Sequence, residues 1–167
     1  MSVKDLTDDK AQDKLEQLVN TIEVAMMITD LSKRPLNAVP MYTKQVDKKG
    51  DIWFLSHISS EHNLDLKNGN DVQLLYNDTK NDQYISVYGK GAIVTNADMI
   101  HQLYDDNIDG KWFDGPTDPL LSAIRITPSE AYYWDNKTNK FVSFFKKSWA
   151  AITGTKADLG KKGHLEV

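Results

Sequence analysis

The 167 residues are enough for one domain with a substantial core, and 40% hydrophobic with 26% charged residues is the balance of an ordinary globular protein. A net charge of −4 and a pI of about 5.5 argue against nucleic acid as the main partner, because neutralising phosphates needs a basic face. The absence of cysteine excludes disulfides, thiolate metal sites and a cysteine nucleophile, and it fits a reducing cytoplasm.

The first residues, MSVKDLTDDK, are polar and acidic and lack the apolar centre of a signal peptide, so a cytoplasmic location is expected. No apolar run reaches the length of a membrane span. An amphipathic helix follows over Thr7 to Thr21. Thr7 caps it, Asp8 and Asp9 favour the positive end of its dipole, and Ala11, Leu15, Leu18, Val19 and Ile22 keep helical spacing. Val24 to Thr29 reads as a buried strand and Asp30 to Pro35 as the turn after it.

Asn37 to Asn63 is the most informative stretch. A strand with Asn37, Val39 and Met41 on one side and Ala38, Pro40 and Tyr42 on the other leads to the turn Asp47-Lys48-Lys49-Gly50. Ile52-Trp53-Phe54-Leu55 is a β-favouring run. A helix then starts near Ser60, and free N–H groups at a helix start form an anion site. A strand edge beside such a start suits a flat ligand with a phosphate tail. Ser59 or Ser60 as a plain N-cap is the competing reading.

The helix ends at Asn68-Gly69-Asn70. Val72 to Tyr76 is a strand, Asn77 to Asp82 a polar connection, and Tyr84 to Val94 one long strand. Gly89 and Gly91 inside it mark a bend or a close backbone approach. Asn96 to Tyr104 is a short helix. Asp105 to Asp118 is a loop around Lys111-Trp112-Phe113, whose aromatics serve either a dimer interface beside the ligand or attachment to their own barrel. Leu120 to Ile126, Ala131 to Trp134 and Phe141 to Phe145 are strands, Asp135-Asn136-Lys137 is a turn, and Trp149 to Ile152 a last short helix. The tail from Gly154 reads as irregular. Without βαβ alternation or repeats, the pattern gives a mainly β fold, a small antiparallel barrel with flanking helices. The organisation is a single domain over 1–167, with the helix in 1–22, the barrel in 23–153 and the tail in 154–167.

The order and spacing of these landmarks resemble the FMN-binding split-barrel family of pyridoxamine 5′-phosphate oxidase, in its general stress protein 26 branch. They are Pro40-Met41, Ile52-Trp53-Phe54-Leu55-Ser56, Ser60-Glu61-His62, Tyr84 to Gly89, Lys111-Trp112-Phe113, Ile124 to Pro128 and Tyr133-Trp134-Asp135. The resemblance implies a split antiparallel barrel of about six strands, bound FMN, and a homodimer with flavin near the interface. It implies cofactor contacts from Val39, Pro40, Met41, Leu55, Ser56, Ser60, His62, Tyr84, Ser86 and Trp112. Two positions depart from the family. Val39 stands where members commonly carry an Arg before Pro-Met, and His62 stands where they commonly carry a Lys. Met41 also fits an ordinary core role, and Tyr84 and Ser86 a solvated strand face.

No side chain stands out as a catalytic acid, base or nucleophile. The four histidines show no metal-ligand spacing, and no nucleophile elbow, P-loop or dinucleotide fingerprint occurs. Two functions follow: a flavin-dependent oxidoreductase or flavin-binding stress protein, and a non-flavin binding or structural protein on the same barrel.

Overall fold

The structure is a computed structural model, and it describes residues 11–134 together with the backbone of 9, 10, 135 and 161–166. Helix α1 (Asp9–Ile22) opens the fold, so the Thr7 cap lies outside the described residues. Strands β1 (Val24–Thr29), β2 (Ala38–Val46) and β3 (Ile52–His57) follow. Then come α2 (Glu61–Asn68), β4 (Asp71–Asp78), β5 (Gln83–Val94), α3 (Ala97–Leu103), α4 (Asp106–Asp109), β6 (Leu121–Asp135) and β7 (Lys161–Glu166).

All pairings are antiparallel, in the order β3-β2-β1-β4-β5-β6, and β3 also pairs with β6. That last pairing closes a six-strand barrel with flanking helices, as expected from the sequence. Closure removes the exposed edges that an open sheet of this size would present.

The core shows why each apolar pattern sits where it does. Ala11, Leu15, Leu18 and Val19 on one stripe of α1 are fully buried against the barrel. Each such leucine contributes about 1.5–3 kcal/mol through burial. In β3 both faces are covered. Ile52 and Phe54 enter the main core, while Trp53 and Leu55 join Ile100, Leu103, Leu121 and Ala123 in a second cluster beneath α3.

Two sequence expectations change. Leu120 to Ile126 and Ala131 to Trp134 belong to one strand, because a bulge absorbs Pro128: Tyr88 faces Glu130 while Gly89 faces Pro128. Gly89 permits this approach, since a Cβ there would stand 2.3 Å from the Thr127 carbonyl oxygen. The tail is not irregular throughout, because Lys161–Glu166 pairs with Glu130–Asp135. Only the first half of β6 pairs with β3, so β7 covers an edge that would otherwise be open. The turn at Asp135-Asn136-Lys137, the strand at Phe141 to Phe145 and the helix at Trp149 to Ile152 fall outside the described residues.

Candidate functional site

A cleft of about 350 Å³ runs between β2 and β3 on one side and the start of α2 with the 109–113 segment on the other. Pro40, Met41, Tyr42 and Lys44 from β2 and Leu55, Ser56 and His57 from β3 form one wall. Ser60, His62, Asp109, Trp112 and Phe113 complete it. Seven of the ten residues named from the sequence therefore border one space: Pro40, Met41, Leu55, Ser56, Ser60, His62 and Trp112.

The other three lie elsewhere. Val39 packs against the main core opposite Met27. Tyr84 and Ser86 sit on the outward face of β5, where Ser86 Oγ accepts a hydrogen bond of 2.8 Å from Gln73 Nε2. Lys44, Tyr42, His57 and Asp109 are cleft residues that the sequence did not single out. His57 sat among histidines read only for metal spacing, and Lys44 and Asp109 meet across 65 positions of chain.

The polar end of the cleft is a closed hydrogen-bond network. Ser60 is the N-cap of α2 and accepts from the Asn63 N–H, while Ser56 Oγ lies 3.1 Å from Ser60 Oγ and 2.7 Å from His62 Nε2. Counting protons fixes the directions. The Ser56 carbonyl only accepts, so Ser122 Oγ–H donates to it at 3.0 Å. Ser122 Oγ therefore accepts from Asn63 Nδ2 at 2.9 Å, and Asn63 Oδ1 faces Ser56 Oγ at 3.1 Å. Ser56 donates to that oxygen and must accept from His62 Nε2–H. The second ring nitrogen of His62 then becomes a donor only when the ring is protonated.

Burial holds His62 below the ordinary histidine pKa, against the opposing pull of Asp65 and Glu61. His57 has the same proton arrangement, because its Nδ1 accepts from the Ser59 N–H at 3.3 Å. Glu61 is an acidic neighbour in the first turn of α2. It is drawn aside: Glu61 Oε2 accepts from Asn37 Nδ2 at 3.1 Å, and Lys33 Nζ lies 3.6 Å from Oε1. The corner thus offers hydroxyls, imidazoles and helix-start N–H groups to an anion, with no permanent cation among the residues lining it.

The remainder of the cleft is apolar. Pro40, Met41, Leu55 and Phe113 supply flat or flexible walls, and Trp112 stands 68% exposed at the mouth. Phe113 packs against the second cluster, whereas the Trp112 indole stays largely exposed. Among the described residues no cluster of His, Asp or Glu is placed to hold a metal ion.

Comparison with known proteins bears on the family and the fold. The model of the family described as pyridoxamine 5′-phosphate oxidase like matches residues 10–158. Protein bli-3 of Neurospora crassa is 25% identical over 164 residues, covering 92% of this chain and 78% of that protein. The general stress FMN/FAD binding protein of Xanthomonas citri superposes with a TM-score of 0.66 at 23% identity, over 79% of this chain and 93% of the other. General Stress Protein 26 of Bacillus anthracis str. Sterne gives 0.64 at 20% identity, over 73% and 92%. These structural likenesses establish the split-barrel fold.

Proposed function

The chain belongs to the pyridoxamine 5′-phosphate oxidase-like family, and from that premise we propose that it binds FMN as a cytoplasmic homodimer of general stress protein 26 type. One observation carries the reading: an apolar slot lined by Pro40, Met41, Leu55 and Phe113 ends in the anion-accepting corner of Ser56, Ser60 and His62. A planar ring with a phosphate tail matches both parts. The residues fit the group, with His62 standing in for a permanent cation.

When bound, the flavin supplies the redox chemistry. The protein's own contribution is to grip the phosphate at Ser60, His62 and the α2 N–H groups, to sandwich the ring, and to keep water from it with Trp112. No side chain in the cleft is arranged as a nucleophile or as a general acid aimed at a substrate. The choice between turnover and simple flavin binding therefore rests with the flavin and its reductant.

The dimer reading is supported by the outward face of the barrel. Cross-strand partners Pro40, Met26, Leu75, Ser86 and Tyr132 form one row, and Tyr84 lies opposite Trp134 in the next. Val24, Tyr132 and Trp134 are 46%, 39% and 37% exposed on that face. An apolar, aromatic patch of this kind marks an interface. Pro40 belongs to both the patch and the cleft, so a second chain packed there brings its own Tyr84 and Ser86 toward the flavin.

The test is the visible absorption of the purified protein before and after FMN is added, with sedimentation of the same samples. A perturbed flavin spectrum and a dimeric mass support the reading. An unperturbed spectrum at saturating FMN moves the assignment to a non-flavin ligand.

A further inference from the structure

Within the β2–β3 ladder, which runs over Thr43 to Val46 of β2, Lys44 is the residue passed over. Thr43 pairs with Phe54 and Gln45 with Trp53, so two steps of β2 run against one of β3. Bulges of this kind re-aim a side chain and recur next to binding sites. Here the re-aimed group is an ammonium whose side chain is only 5% exposed. Lys44 Nζ donates to Asp109 Oδ2 at 2.7 Å and lies 5.5 Å from the centre of the Tyr42 ring.

The pair is only half used. An ammonium carries three N–H donors, and no second acceptor among the described residues takes a hydrogen bond from Lys44. Asp109, 6% exposed, receives Lys44 and the Asp105 N–H (2.8 Å) on Oδ2, while Oδ1 receives no hydrogen bond from a described residue. Lys44 also touches a neighbouring polar cavity, but Asp109 does not, and the Pro40–Phe113 cleft is bordered by both members. A buried ion pair repays its desolvation only when its remaining donors and acceptors are met. These open positions, a donor beside an acceptor, belong to two residues that both line the cleft where a planar ligand would lie. The bulge faces Trp53 and Phe54, whereas the anion corner gathers at Ser56 and beyond. The two polar features thus stand apart along the cleft, separated by roughly 7–10 Å of strand.

We propose that Lys44 and Asp109 together read the imide edge of the ligand's ring: the ammonium donates to a ring carbonyl, and the carboxylate accepts a ring N–H. The inference rests on the flavin reading, in which that edge is the carbonyl, N3–H, carbonyl side of the isoalloxazine. The pair is then the specificity determinant at the ring end, as the serine–histidine corner is at the phosphate end. It rejects a ring that cannot place a donor beside an acceptor, because the pair's remaining N–H donor and carboxylate oxygen would then lose their water without gaining a partner.

The experiment titrates the full-length protein with FMN and with 3-methyl-FMN, whose ring N–H is replaced by N–CH3, and follows flavin fluorescence. The parent should bind FMN at least about tenfold more tightly, the loss expected for one hydrogen bond to a charged group. The double variant Lys44→Met/Asp109→Leu removes both charges at once and leaves neither buried alone. It should bind the two flavins equally while keeping its preference for FMN over riboflavin, which the phosphate corner sets. Equal affinity of the parent for FMN and 3-methyl-FMN overturns the inference and leaves the flavin reading standing. Retained discrimination in the double variant also overturns it. A parent that binds no FMN overturns both. The comparison on the parent needs no variant, so it decides even if the double variant does not fold.

Discussion

His62 is the residue at which the flavin reading is most exposed to test. In the free protein burial keeps its pKa below the ordinary histidine value, and its Nε2–H is committed to Ser56 Oγ. A phosphate placed at the corner favours the imidazolium, because only that form adds a second N–H donor beside the anion. Binding therefore takes up a proton between the free-state pKa and the higher bound-state value, and affinity falls as pH rises through that window. The second phosphate proton, lost at about pH 6, sets an opposing limit at lower pH. One charge-assisted contact is worth about 1.5–3 kcal/mol, or roughly ten- to a hundredfold in affinity. His62→Lys carries a permanent cation, so FMN should bind more tightly than to the parent at pH 8 and without the fall in affinity as pH rises above the phosphate's own titration. His62→Ala should bind more weakly than the parent at pH 6 and lose the same dependence. Fluorescence titration of the three proteins across pH 5.5–8.5, a range of about one to two units around the histidine value, reads both quantities. Equal affinities, or equal slopes, would remove His62 from the phosphate site.

The same residue affects the free protein: with its folded pKa depressed, the unfolded chain binds the proton first. Chemical denaturation should therefore show stability declining as pH falls through the ordinary histidine value and levelling off below the folded one. Asn63→Ala opens the buried Ser56–Asn63–Ser122 network and should cost about 1–3 kcal/mol, seen as a melting temperature lower by several degrees. Gly89→Ala should destabilise far more than Gly69→Ala, because the first new methyl meets the Thr127 carbonyl at 2.3 Å and the second meets nothing within 4 Å; urea midpoints compare them. Trp112→Ala removes an indole that is 68% exposed, so melting should stay nearly unchanged while FMN affinity or dimer strength falls. Titration and sedimentation tell which.

What could be read from the chain alone was what local chemistry announces. The Ser60 cap, the turn with Gly50 at φ 83°, and the apolar run from Ile52 to Leu55 are short-range signals, and they placed the start of α2 and the strand before it. Gly89 signalled a close backbone approach correctly, whereas Gly91 makes room for the side chains of Leu66, Val72 and Ile126. The partner of Gly89 is Pro128, which by itself reads as a break and so hid the continuity of β6. Lys44 was invisible as a site residue because its position depends on a bulge, and its partner arrives from α4, in a stretch whose Gly, Asp and Pro read as loop. Pairings that depend on register and distant closure leave no periodicity behind.

Calorimetric titration of the purified protein with FMN and, in parallel, with riboflavin tests the central claim most directly. The account predicts saturation at one FMN per chain and riboflavin binding weaker by at least about tenfold, since the Ser56–Ser60–His62 corner grips only the phosphorylated form. Equal affinity for the two, or no heat with either, would contradict it.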